Sequence, residues 1–188
     1  MFAFFDKISY FCIMDFYQLV AKRRSCRSFS SEELDGDEVQ TIIRAALMSP
    51  TSMNRRSWHF ILVDERMNLE KLSDAKESGA SFLKYAALAV VVTGCPSAND
   101  CWVEDGSIAA FSMQLQAEDM GISSCWVQIR GRRLSDGTPA SDVVRGILDI
   151  PEGMEVLCIV AFGKKNGEAL PPREDADLHW ENVHVGLF

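Results

Sequence analysis

The chain has 188 residues, 47% of them hydrophobic, and a formal charge of -8, a composition that excludes collagen-like and disordered classes and leaves room for a genuine core. The acidic balance disfavours a general nucleic-acid surface, because phosphate backbones are held by excess Lys and Arg. No Pro-, Ser- or Gly-rich linker and no solenoid repeat interrupts the chain, so a single domain is expected over residues 14–188.

The opening MFAFFDKISYFCI is apolar but broken by Asp6 and Lys7. It is too short to span a bilayer and no small-residue cleavage site follows it. Residues 1–13 are therefore an N-terminal extension of uncertain role, and with no membrane or secretion signal the expected location is the cytoplasm. Asp15 to Lys22 reads as a short capped helix, and Asp37 to Met48 as an amphipathic one, with Val39, Ile42, Ile43, Ala46 and Leu47 at helical spacing and Pro50 as its stop. Short apolar runs predict buried strands at His59–Asp64, Leu88–Gly94, Ser124–Gln128 and Val156–Gly163. Met67–Lys76 and Ser141–Leu148 are outer helices, and Val103–Met120, ended by Gly121, is a central one.

Strands alternating with helices would ordinarily suggest a parallel doubly wound sheet. Neither G-x-G-x-x-G nor G-x-x-x-x-G-K-[ST] follows any strand, however, so an anion here must be met by arginines and helix ends. Of the 19 Lys and Arg residues, 12 lie in five groups: Lys22, Arg23, Arg24 and Arg27; Arg55 and Arg56; Arg130, Arg132 and Arg133; Lys164 and Lys165; and Arg173. Gathered at loop edges of an acidic protein, they suggest a discrete anion site. The six cysteines form no CxxC pair and the three histidines do not join them at zinc-ligand spacing, so reduced thiols and no metal are expected.

Three segments carry the chemistry. In Arg23-Arg24-Ser25-Cys26-Arg27-Ser28-Phe29, an extended backbone projects Arg23, Ser25 and Arg27 to one side, a fork suited to a phosphate monoester. The segment from Ser49 through Pro50, Thr51, Ser52 and Asn54 to Trp58 offers hydroxyls and an amide to a heteroaromatic ring edge. The third is Gly121-Ile122-Ser123-Ser124-Cys125-Trp126, after the long helix. With the late Ala161-Phe162-Gly163 strand end, these segments resemble, in order and spacing, the nitroreductase family of flavoproteins: RRSxRxF, [A/S]-P-[ST]-x-x-N-x-x-x-W, G-[I/L]-x-S-C-W and A-x-G.

The resemblance implies an α+β three-layer αβα sandwich with a mixed, mostly antiparallel sheet. It implies a homodimer with FMN held non-covalently at the subunit interface. Arg23, Arg24, Ser25 and Arg27 would then bind the phosphate, ribityl and pyrimidine edges, while Pro50, Thr51, Ser52 and Asn54 reach the flavin of the partner. Trp126, Val127, Gln128 and Ile129 would lie along the ring with backbone donors near its N5, and Gly163, Lys164 and Arg173 would close the phosphate end. The activity implied is ping-pong hydride transfer from NADH or NADPH to nitroaromatics, quinones or similar small acceptors, with no catalytic side chain. The alternatives are a non-enzymatic FMN carrier or redox sensor, and a specialised dehalogenase or oxidase of the same fold. One departure stands out: the family often has Gln-Pro before the tryptophan of its second motif, where this chain has Arg56-Ser57. The tail from residue 170 to 188 is expected to wrap the dimer, and His59 and Cys125 are expected to be structural.

Overall fold

The computed structural model describes residues 15–188; the expectation for the N-terminal extension lies outside them. Five α-helices and four strands follow one another as α1 (Phe16–Lys22), α2 (Gly36–Leu47), β1 (Trp58–Val63), α3 (Arg66–Ser73), β2 (Leu88–Gly94), α4 (Trp102–Asp119), β3 (Ser123–Gln128), α5 (Ala140–Ile147) and β4 (Glu155–Gly163). The strands run β1-β2-β4-β3 across the sheet, and every neighbouring pair is antiparallel. The last strand in the chain is thus inserted between β2 and β3. Among the described residues a parallel element enters only at the edge, where Ser25 bridges Ser124.

Strand alternation sends alternate side chains to opposite faces, and each face meets its own layer of helices. Val90, Val92, Val160 and Phe162 pack with Ile42 and Ala46 of α2 and with Ala109, Ala110, Met113 and Ala117 of α4. Ala89, Val91, Ile159 and Ala161 face Leu69 and Leu72 of α3 and Ala140 and Val144 of α5. The three-layer αβα sandwich is therefore as expected. A register shift opposite Val92 and Thr93 bulges β4, so Leu157 and Cys158 both fall on the α4 side.

Local sequence sets the helix ends. Asp15 with Gln18 and Asp35 with Glu38 form reciprocal capping boxes at α1 and α2. Glycine 121 takes φ 72 after α4, and the Ile122 N–H closes the turn on the Ala117 carbonyl at 2.8 Å. Helix α3 is shorter than the sequence suggests. It ends at Ser73, whose hydroxyl donates to the Glu70 carbonyl, and Lys76 lies beyond it in a loop. Among the described residues no helix is long and apolar enough to cross a membrane.

Candidate functional site: an arginine fork beside an open strand edge

The Arg23–Phe29 segment leaves α1 as extended chain and docks on the outer edge of β3. The Cys26 N–H donates to the Ser124 carbonyl at 2.9 Å. Alternation along β3 then turns the backbone groups of Ser124, Trp126 and Gln128 outward. Ser124 is covered by the docked segment; beyond it, among the described residues, no strand lies beside Trp126. At the far end the Lys76 ammonium donates to the Gln128 carbonyl at 3.2 Å. Burial and the nearby Arg132 guanidinium push Lys76 below its ordinary pKa. Lys76 was hidden in the sequence because periodicity placed it inside a helix.

The docked segment walls a cavity of about 280 Å³ lined by Lys22, Arg24, Ser25, Cys26, Arg27, Ser28, Glu118, Ser123 and Lys165, with Asn166 and the start of the tail. Burial, and after it the Arg173 guanidinium, hold Arg23 below the usual arginine range; Arg24 pushes the same way and Glu118 opposes. Among the described residues the guanidiniums of Arg23, Arg27 and Arg173 enter no ion pair, whereas Arg24 donates to the Pro171 carbonyl at 2.7 Å. Cations gathered without an ion-pair partner are poised for an anion, and Arg23 most of all, since its charge is partly desolvated and repelled by its neighbours.

Glu118 is the one acidic side chain of the inner wall besides Glu168 of the tail. Its carboxyl is pushed up by burial and held back by Lys22 and Arg23, with Lys22 at 3.7 Å. An anion held by the fork therefore meets like charge from Glu118 while that group is ionised. We expect Glu118→Gln to bind inorganic phosphate or a phosphate monoester several-fold more tightly, measured by calorimetry. The gain should shrink as pH falls through the raised carboxyl pKa, because wild type then loses the same charge; an unchanged affinity at neutral pH would place the anion elsewhere.

The strand and C-terminal residues take different roles. Val127 and Ile129 are buried in the core, and by the same alternation their backbone groups turn inward to β4, where the Ile129 N–H donates to the Leu157 carbonyl at 3.3 Å. The Trp126 indole N–H donates to the Gln128 side chain at 2.9 Å. Gly163 is in contact with a ring: a Cβ there would stand 2.9 Å from Phe29 Cδ1, so its smallness serves the docking of the fork segment. Lys164 pairs with Glu38 of α2, and its neighbour Lys165 is the one that lines the cavity. Arg173 is anchored through its own N–H to the Ala21 carbonyl. Cys125 is 1% exposed and burial raises its thiol, which suits a core residue, while His59 is exposed on the edge strand β1.

The second motif lies elsewhere. After Ser49, whose hydroxyl meets Ser112 at 2.9 Å, Pro50 and Thr51 lead into a turn in which Met53, Asn54 and Arg56 have φ of 51, 56 and 49. Left-handed backbone costs a non-glycine residue roughly 1–2 kcal/mol. The Thr51 hydroxyl accepts the Arg56 N–H, and Arg56 Nε donates to Asn54 Oδ1 at 2.9 Å, leaving the Asn54 amino group facing outward. The Ser52 N–H donates to Asp105 at 2.9 Å, in the first turn of α4, whereas the fork sits by Glu118 in the last. At about 1.5 Å per residue, positions 105 and 118 are roughly 20 Å apart along the helix. One chain therefore holds the two motifs well apart, each a candidate half-site.

A family model described as "Nitroreductase family" matches residues 20–94 and 96–164. An FMN-dependent nitroreductase of Clostridium difficile superposes with a TM-score of 0.88 at 38% identity, covering 90% of this chain and 98% of its own. A relative from Archaeoglobus fulgidus, provisionally named an NADH dehydrogenase/NAD(P)H nitroreductase, is 32% identical over 171 residues, 89% of this chain and 95% of that one. The NADPH:FMN oxidoreductase of Vibrio harveyi shares the fold, with a TM-score of 0.74 at 19% identity over 92% of this chain and 77% of its own. By the span of the family match and the near-complete overlap with these relatives, the chain belongs to the nitroreductase family.

Proposed function

We propose that the protein is an FMN-dependent oxidoreductase that takes reducing equivalents from NADH or NADPH and passes them to nitroaromatics, quinones or similar small acceptors in ping-pong fashion. The observation that carries this reading is the half-buried Arg23 and the exposed Arg27, neither of them in an ion pair among the described residues, beside a strand edge with an outward-facing amide. That arrangement fits a phosphate at one end and a planar ring along β3 at the other. When bound, FMN supplies the chemistry, accepting a hydride from the nicotinamide and donating it onward.

This chain's own residues bind and tune. Arg23, Ser25 and Arg27, with Lys165 and Arg173, neutralise the phosphate. The outward N–H of Trp126 donates to the ring edge, and Lys76 brings a cation to the same edge, where negative charge grows on reduction. The Asn54 amino group, oriented by Arg56, is a donor for the partner's ring. The distance between these half-sites supports a homodimer, in which a two-fold brings the turn of one chain to the fork of the other. The tail from residue 170, tied to α1 by the Tyr17 hydroxyl on Asp175 and carrying an exposed Trp180, fits a strap across that dimer.

The test is the visible spectrum of the purified protein during anaerobic addition of NADH or NADPH. A flavin band that bleaches with either nucleotide and returns on adding a quinone is the expected result. A flavin band that neither nucleotide bleaches would favour an FMN carrier or sensor, and apoprotein that FMN does not reconstitute would end the flavoprotein reading.

A further inference from the structure

Asp105 is 3% exposed and Asn99 1%, and among the described residues no Lys or Arg forms an ion pair with Asp105. Its two oxygens are taken by neutral donors: the Ser52 N–H on Oδ1 at 2.9 Å and the Asn99 amide on Oδ2 at 2.7 Å. The same Asn99 nitrogen reaches the Ser57 hydroxyl at 3.0 Å, and Asn99 Oδ1 accepts the Cys101 N–H at 3.1 Å. A charge buried without a counter-ion is costly unless every lone pair facing the interior is met; here the donors, with the N-terminal end of α4, meet it.

The geometry of this network is that of a clamp. Asp105 holds Ser52 directly and, through Asn99, holds Ser57, so it grips both ends of the turn that contains Met53, Asn54 and Arg56 at positive φ. Among the described residues no other buried side chain hydrogen-bonds to this exposed segment. Arg55 reaches the Ala98 carbonyl at 2.9 Å, fastening the turn to the loop that carries Asn99, but that contact lies at the surface.

We propose that Asp105 and Asn99 are positioning residues: as a buried acceptor–donor pair they lock the turn in the conformation that presents Asn54 to the cofactor bound by the partner subunit. The inference rests on the functional reading above. It also explains a buried acid that the hydride-transfer chemistry does not use. The polarity of the pair is essential: Asp105 accepts, and Asn99 uses its amino group toward Asp105 and Ser57 and its oxygen toward Cys101, so rotating the amide would break the bonds to Asp105 and Cys101, and only the Ser57 hydroxyl could readjust.

That polarity supplies the test. D105N sets one amino group against another, and N99D sets two carboxylates together. The D105N/N99D double variant exchanges donor and acceptor. Its new amide keeps the Ser52 bond and donates across the pair, while its new carboxylate accepts from the Cys101 N–H and from a reoriented Ser57 hydroxyl. FMN affinity of the apoprotein is measured by fluorescence titration, with hydrogen exchange of residues 50–57 followed in parallel. Each single variant is expected to bind FMN at least about 10-fold more weakly and to exchange faster in this turn. The double variant is expected to return within a few-fold of wild type on both counts. S57A, which removes only one outer bond, serves if a single variant does not fold, and should weaken FMN by a few-fold. Single variants with wild-type affinity, or a double variant that regains thermal stability without regaining affinity and slow exchange, overturn the proposal. Wild-type apoprotein that does not bind FMN takes down the functional reading and this inference with it, and is thereby told apart from a failure of the clamp alone.

Discussion

Arg23→Ala is expected to yield colourless protein whose apo form is as stable as wild type or more so. The two effects have opposite signs because Arg23 is unfavourably placed until an anion arrives. Burial and Arg173 hold its guanidinium below the ordinary arginine range, Arg24 adds to the repulsion, and the opposing pull comes chiefly from Glu118. Truncation relieves that repulsion in the apoprotein. In the complex it removes charge-assisted hydrogen bonds worth about 1.5–3 kcal/mol each, so FMN affinity should fall on the order of 100-fold. Arg23→Lys should recover little of this, because an ammonium keeps the charge but not the planar fork. Thermal melting of the apoprotein and a fluorescence titration with FMN separate the two signs. An alanine variant that keeps full affinity would remove Arg23 from the site, and one that melts well below wild type would make it a structural residue.

Much of the local geometry at the candidate site was legible in the residues, because it depends on backbone run and residue type. The alternation of Arg23, Ser25 and Arg27 needs only an extended chain, and Gly121 needs only a helix to terminate. Strand pairing was less accessible: the hydrophobic runs at Leu88–Gly94 and Val156–Gly163 locate strands, but nothing local tells β4 to insert between β2 and β3. The antiparallel sheet came through the family resemblance, and the structure agrees. Residues whose role depends on tertiary placement were missed. Lys76 reads as the last turn of a helix and stands instead at the β3 edge; Asp105 falls inside the predicted central helix with nothing local to single it out, and is buried under the Ser52–Ser57 turn. Lys164 and Lys165 are indistinguishable as adjacent lysines at a strand end, and only the position of Glu38 in the α2 capping box decides which one turns away.

The separation of the half-sites leads to an effect at a distance. Phe111→Glu should produce a monomer that has lost its flavin, although Phe111 lies in neither half-site. On the outward face of α4, Ile108 and Phe111 are each more than 40% exposed. Leu115 continues the face into a groove shared with Phe16 and Leu19 of α1 and Ala45 of α2, and Leu47 and Met48 extend it with Met48 77% exposed. An apolar surface spanning three helices is unusual on a monomer, and it flanks the helix whose two ends carry the half-sites. A two-fold interface repeats every substitution, so Phe111→Glu would bury two carboxylates where two rings had packed. Without the partner the fork keeps its arginines but loses Asn54 and its turn, and the ring edge is left to water. Sedimentation and the flavin absorbance of the same sample measure both consequences, with Met67→Glu, an exposed site on α3 in the opposite layer, expected to change neither. A Phe111→Glu protein that remains dimeric would mean that the partner sits on another face. A monomer retaining full flavin would mean that one chain builds the whole pocket, against the roughly 20 Å that α4 puts between its two parts.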